Sequence, residues 1–206
     1  MTLLSTAYLP PIQWFALLKR SDKATIEHWE SYHKQTYRNR CVIATANGKE
    51  ILTVPVEKPA DGSRLIKDMM ISDHDDWRTK HWNSLKAAYF NTPFFEFYQD
   101  DLRPFYERRW KFLVDFNEEL VCKCMELMGL SAELLHTDSF IDEEQAAREG
   151  IDDHRYDISP KIPLTDDIGF TPKPYYQVFE QRHGFIPGLS IIDLILNMGP
   201  ESIFYL

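Results

Sequence analysis

The chain has 206 residues, 44% hydrophobic and 27% charged, which suits one folded domain and excludes a disordered or low-complexity protein. Its formal charge of −9 sets up a field that repels nucleic acid and anionic membrane surfaces. No run approaches the ~20 apolar residues of a membrane span, and Met1 to Pro11 lacks the basic start and long apolar stretch of a signal peptide, so a cytoplasmic location is expected. Cys41, Cys122 and Cys124 form an odd set in a chain too large to need staples, which argues for reduced thiols.

In chain order, Leu3 to Ala7 is a short apolar run closed by Tyr8-Leu9-Pro10-Pro11, after which Ile12 to Lys19 reads as a helix. Ser21-Asp22 breaks it, and Ala24, Ile26 and His28 alternate with polar neighbours as a strand does, giving a β-α-β opening. Cys41 to Val56 reads as a hairpin across Asn47-Gly48, residues that accept the positive φ angles of a type I′ turn. Pro59 to Ser63 is a polar loop, and Leu65 to Ile71 is expected to return as a strand.

From Ser72 and Asp75 onward, Trp77, His81, Leu85 and Ala88 recur at helical spacing, and the helix stops at Asn91-Thr92-Pro93. An aromatic segment, Phe94 to Tyr106, is interrupted by Pro104. Lys111 to Met128 is a helix burying Leu113, Phe116, Leu120, Cys124 and Leu127, ended by Gly129. Ala132 to Thr137 reads as a strand. Ile141 to Asp167 carries nine acidic residues and little apolar periodicity, so an irregular acidic connection or lid is expected there. Tyr175 to Glu180 reads as a strand and Leu189 to Met198 as a helix ended by Gly199-Pro200. The resulting fold class is α/β, a single domain with a β-α-β opening, a β-hairpin and several amphipathic helices packed on a mixed sheet.

The chain contains no P-loop, G-x-G-x-x-G, G-x-S-x-G, H-E-x-x-H or paired C-x-x-C, so chemistry has to come from clusters. Lys34, Tyr37, Arg38, Asn39 and Arg40 reverse the sign of an acidic chain just before the hairpin, and guanidinium forks bind phosphate or carboxylate. The alternative is a strand edge guarded by charge. Tyr8, Gln13 and Trp14 lie at the carboxyl end of the first strand, where open α/β sheets bind ligands, and offer hydrogen bonds and an aromatic surface; equally, they fill a turn. His81 is the general-base candidate, set against a half-buried structural histidine. It lies seven residues from His74, but no third ligand accompanies them, so no metal and no cofactor is expected. Ser190 suits the N-cap of the last helix and Asp193 its N3 position, an arrangement that also offers backbone N–H groups to a ligand.

Tyr8-Leu9-Pro10, Asn39-Arg40, Leu52-Thr53-Val54-Pro55-Val56, Leu189-Ser190-Ile191-Ile192-Asp193-Leu194 and Asn197-Met198-Gly199-Pro200, in this order, resemble the WbqC-like family over almost the whole chain. The sequence departs from many relatives in having Thr6-Ala7 where they carry a Gln before the Tyr-Leu-Pro stretch. The resemblance implies a place in O-antigen and related surface-polysaccharide biosynthesis, with glycine transfer onto a sugar suggested for some members.

The resulting expectation is a transferase acting on a nucleotide-activated sugar by acyl or aminoacyl transfer. Arg38 and Arg40 would bind the diphosphate, Tyr8 and Trp14 face the sugar or base, Asn39 orient the ligand and His81 accept a proton. The alternative is a non-catalytic carbohydrate-binding or scaffolding protein; a nucleotidyltransferase-like reading lacks the H-x-G-H signature. The expected partner is a small-molecule nucleotide sugar or glycan, with no nucleic acid and no membrane span, and nothing in the chain sets an oligomeric state.

Overall fold

The computed structural model describes residues 1–21, 23–162 and 168–206. The opening is β-α-β: β1 (Thr2–Ser5), α1 (Ile12–Ser21) and β2 (Lys23–Glu27), with the strands parallel and Leu4 opposite Ile26. Helix α1 buries Ile12, Trp14, Phe15, Leu17 and Leu18 and ends in Lys19 and Arg20, cations that suit the negative end of the helix dipole.

Two further strands complete a four-stranded parallel sheet in the order β7-β2-β1-β8, where β7 is Glu133–His136 and β8 is Asp152–Asp153. The expected mixed sheet is therefore divided, because the antiparallel pairs stand apart. The hairpin is β3 (Arg40–Thr45) with β4 (Gly48–Thr53), and a small pair joins β5 (Val56–Glu57) to β6 (Met70–Ile71). The turn differs from expectation: Thr45 pairs with Gly48, Ala46-Asn47 forms the tip, and of these residues Gly48 alone takes a positive φ, +104°. Thr45 sets this geometry, its Oγ1 accepting from Asn47 N (3.2 Å) and donating to Gly48 O (2.9 Å). Val56 has left the hairpin for β6, since Pro55 cannot donate to a ladder. Between Leu65 and Ile71 only Met70–Ile71 is strand; Ile66–Asp68 is a 3-10 turn.

The helices α2 (Trp77–Tyr89) and α5 (Leu113–Met128) lie as their periodicity predicts, α5 ending at Gly129 in the left-handed region (φ +65°). Leu127 is only half-buried. The aromatic segment folds into α3 (Phe95–Leu102) and α4 (Pro104–Glu107), with Pro104 at the start of the second, where its missing N–H costs nothing.

The acidic stretch from Ile141 is more ordered than its composition suggests. It holds α6 (Glu143–Glu149), capped by Asp142 accepting from Gln145 N (2.7 Å), and then β8. Adjacent residues of β1 point to opposite faces. Leu4 joins the main core, while Leu3 packs with Ile141 and Ala146 in a second small core beneath α6. This stretch thus covers one face of the sheet, and its residues 163–167 lie outside the described ones. Tyr175 to Glu180 contains no strand; α7 (Glu180–His183) starts at its end. The final helix, α8 (Ile191–Met198), is apolar almost all round and buried from Ile191 to Asn197, passing into a 3-10 turn over Gly199–Tyr205. Among the described residues no helix is long and apolar enough to cross a membrane.

Candidate functional site

The residues singled out in the sequence divide between a sealed interior and one edge of the sheet. Tyr8 is fully buried, its hydroxyl within hydrogen-bonding distance of His81 Nδ1 (3.0 Å) and Tyr106 Oη (2.9 Å), and its ring stacks on His81 and Phe116. Burial pushes the Tyr8 hydroxyl well above its usual range and brings the His81 imidazole down to about 4, against the Thr53 backbone bond and the Asp75 charge. His81 is thus a neutral structural histidine at ordinary pH, without the near-neutral pKa expected of a general base. His74 does not join it, being exposed beside Glu57 (3.8 Å). Trp14 fills the turn, its indole N–H donating to Ser5 O (3.1 Å).

The closing motif is interior as well. Ser190 caps α8, accepting from Ile192 N (3.3 Å) and donating to Leu9 O (2.8 Å). The second bond pins the turn in which Leu9 holds a positive φ of 39°. Asp193 is fully buried and takes hydroxyl donors from Tyr89 (2.8 Å) and Tyr175 (2.6 Å). Burial raises its carboxyl to about 6, with those two hydroxyls and Gln177 working in the opposite direction.

The other pole is the carboxyl edge of the parallel sheet. From β1 the chain moves outward to β2 and β7 on one side and returns as β8 on the other. The switch between β1 and β8 is the place where such sheets bind ligands. Glu27, at the end of β2 and fully buried, accepts from Trp29 N (2.7 Å), Thr137 Oγ1 (2.7 Å), Ile141 N (3.1 Å) and Arg155 Nη1 (3.2 Å). Arg155, only 1% exposed, forks onto Asp153 through Nε (2.9 Å) and Nη2 (2.6 Å). Burial would raise the Asp153 carboxyl, but the Arg155 bonds and charge outweigh it and hold it below the usual range.

Beside this network Arg38, 3% exposed, makes a bidentate pair with Glu30 (2.7 and 2.5 Å). The Tyr156 ring, 46% exposed, lies 5.8 Å from the Arg38 guanidinium and 5.6 Å from that of Arg155; Phe140, 47% exposed, is 5.3 Å from Arg155. Two buried guanidiniums thus underlie two half-exposed aromatic rings.

Arg38 is accordingly committed inside the fold, whereas the Arg40 side chain has no ion pair or hydrogen bond among the described residues and keeps a buried Nε without a partner. Its charge is felt by the half-buried Tyr32, as is that of Arg38. Asn39 donates to Val54 O (2.8 Å) but leaves its buried Oδ1 unpartnered, and Gln13 Oε1 is in the same condition. The structure brings Arg38, Asn39 and Arg40 together and keeps Tyr8, Trp14, His81, Ser190 and Asp193 in the interior.

Sequence reasoning missed Glu27, Glu30, Phe140, Asp153, Arg155 and Tyr156. The available signal was Glu27, a carboxylate ending an alternating strand. The others sit in short loops or in a two-residue strand, too short to show a period.

A hollow of about 460 Å³ lies between the end of α1 and the Ile168–Lys173 segment, at the amino edge of the sheet. Its cations are occupied: Lys19 with Ile203 O and Leu206 O, Arg20 with Ile168 O, Lys173 with Phe204 O.

No solved structure matches the chain. It is 27% identical, over 229 aligned residues covering 100% of this chain and 96% of the relative, to an uncharacterised protein of Mycobacterium tuberculosis. The model of the WbqC-like protein family matches residues 6–162, from the end of β1 to beyond β8, and the chain belongs to that family.

Proposed function

We propose that the chain is a group-transfer enzyme whose nucleotide-activated sugar lies over the carboxyl edge of the parallel sheet, in surface-polysaccharide biosynthesis. The observation that carries this reading is the Tyr156 ring set over the guanidiniums of Arg38 and Arg155 at the switch point, with Arg40 unpaired nearby. A half-exposed aromatic face backed by cations suits a base or sugar ring. A guanidinium without a carboxylate partner suits a diphosphate. Buried ion pairs such as Arg38–Glu30 add little stability over apolar packing, so a rigid charged floor is better explained by the ligand it orients.

The second reading, a carbohydrate-binding module without turnover, draws on a specific observation: His81, the sequence-chosen base, is sealed in the core. Calorimetric titration with nucleoside diphosphate sugars and with free glycans separates the two. Under the transferase reading nucleotide sugars bind, and Arg40→Ala weakens them by ~1.5–3 kcal/mol, the usual worth of a charged hydrogen bond. Tyr156→Ala weakens them as well. Glycan binding that is insensitive to Arg40→Ala, without product formation from acyl or aminoacyl donors, supports the module; absence of any nucleotide-sugar binding ends the transferase reading.

A further inference from the structure

A second cluster stands on the same edge of the sheet and takes no part in the arginine floor. His28 follows β2 directly and His136 closes β7. Ile26 pairs with His136 in the parallel register, so Ile26, His28 and His136 project from one face, since side chains two residues apart on a strand share a side. That face is covered by α5, whose Asn117, Glu118 and Val121 border the same small void as Ile26 and Leu134. Glu118 therefore arrives between the two histidines. Its Oε1 is bonded to His28 Nε2, its Oε2 lies 2.8 Å from His136 Nε2, and the two imidazoles stack with centres 4.5 Å apart.

We infer that His28, Glu118 and His136 form a binding site for a divalent first-row transition ion of the zinc type. Both imidazoles present the same nitrogen to a single carboxylate, and one ligand atom from each of the three residues lies within 4.8 Å of the others. Ligand atoms around a tetrahedral zinc ion, about 2.0–2.1 Å from the metal, stand about 3.3 Å apart. Reaching that spacing requires the His136–Glu118 contact, now 2.8 Å, to open by about 0.5 Å, and His28 to draw back from Glu118 as well. His136, with half its side chain exposed, has room to move. When the ion binds, each imidazole coordinates through a proton-free Nε2 and carries its single N–H on Nδ1, any second proton leaving to solvent, so that Nε2–H···O contacts become Nε2–metal–O links.

Two histidines and one carboxylate leave coordination positions open, the pattern of a reactive rather than a closed structural site. Asp115 and Glu119 flank Glu118 on α5 and border with it a hollow of about 300 Å³ that gives a co-ligand access from solvent. Of the cations bordering the same hollow, Arg108 is taken by Glu119 (3.0 Å), Arg109 lies 3.6 Å from Asp73 and Lys111 sits over the Phe112 ring. The ligand type is set by geometry: imidazole with carboxylate suits zinc, iron or cobalt, whereas magnesium and calcium demand oxygen ligands.

The site stands independently of the nucleotide-sugar reading, and the test keeps them apart. Chelator-treated protein is titrated with Zn²⁺ by calorimetry, and Co²⁺ is added separately to read the visible absorption of a coordinated ion. One ion per chain is expected, with His136→Ala and Glu118→Gln each weakening it by at least ~10–100-fold, the loss already typical of second-shell changes. His154→Ala, which alters a different histidine–carboxylate group beside Asp152 and Asp157, should leave it unchanged. Unchanged melting temperatures show that the variants fold; His136 is the exposed member, so its variant is the secure one. If the wild type takes up no stoichiometric Zn²⁺, or if both variants bind it as tightly as the wild type, the cluster is an ion-paired staple and the inference fails. Measuring nucleotide-sugar affinity on the same metal-free protein assigns failure of either idea to its own site.

Discussion

Two buried polar networks lie in one small protein and are built on opposite principles. Around Tyr8, His81 and Tyr106, and around Asp193, Tyr89 and Tyr175, the partners are buried hydroxyls, an imidazole held neutral and one raised carboxyl, with no counter-cation among the described residues. At the carboxyl edge the network consists of full charges, Glu27 and Asp153 on Arg155 and Glu30 on Arg38, and it comes to the surface under half-exposed rings. The first network can be satisfied by the fold alone. The second keeps formal charge at a place where the topology exposes it, which is how a site differs from a scaffold.

The largest expected effect lies in the charged network. Arg155→Ala leaves Glu27 and Asp153 without their cation and should cost ~3–5 kcal/mol of stability, as removal of one partner from a buried pair does. A loss under ~1 kcal/mol in urea unfolding would mean that this edge is wetter than its burial indicates.

The neutral network predicts a pH signature. Asp193 is raised from 3.8 to about 6, so its contribution is greatest below its unfolded pKa and is lost as pH rises to about 6. His81 is lowered from 6.5 to about 4, so its contribution is present above 6.5 and is lost as pH falls towards 4. Each shift of about two units is worth ~3 kcal/mol, with opposite sign over nearly the same window. The two should nearly cancel in the wild type. Asp193→Asn removes one of them, so its stability should fall by ~3 kcal/mol between pH 6.5 and 4, measured by denaturant titration at each pH. A variant profile parallel to that of the wild type would refute the assignment. Next in size, Tyr156→Ala should cost ~1 kcal/mol or less, the worth of its contacts with two arginines at a half-exposed position.

The framework was the legible half of the molecule. Ile12 to Lys19, Trp77 to Ala88 and Lys111 to Met128 repeat with helical period over several turns, and Asn47-Gly48 marks the hairpin, although its tip lies one residue earlier, at Ala46-Asn47. The motifs behind the family resemblance map largely to the sealed interior: Tyr8-Leu9-Pro10 is bonded to Ser190-Ile191, and Asp193 collects tyrosines from Tyr89 and Tyr175. The edge was illegible for a physical reason. Its residues come from strand ends, from β8 and from loops, where two residues can complete a sheet without a period. Arg155 lies in an acidic run that reads as solvated until Asp153 and Glu27 are found to need it.

The smallest effect gives the sharpest contrast, because it sets two arginines of one segment against each other. Arg38 and Arg40 are two positions apart and alike in the sequence. Arg38 is 3% exposed and forked onto Glu30, while Arg40 is half-buried, with an Nε that meets neither donor nor acceptor partner among the described residues. Arg38→Ala strands a buried carboxylate and belongs with Arg155→Ala at ~3–5 kcal/mol. Arg40→Met keeps the aliphatic stem against its neighbours and removes an unsatisfied buried donor, so stability should change by less than ~0.5 kcal/mol, or rise slightly. Parallel unfolding curves for Arg38→Ala, Arg40→Met and the wild type test this directly. Equal destabilisation by the two variants would mean that Arg40 is held by the fold as firmly as Arg38 and is not available to an anion. A folded, stable Arg40→Met that has lost nucleotide-sugar affinity would place Arg40 with the ligand, a role its pairing with Glu30 denies to Arg38.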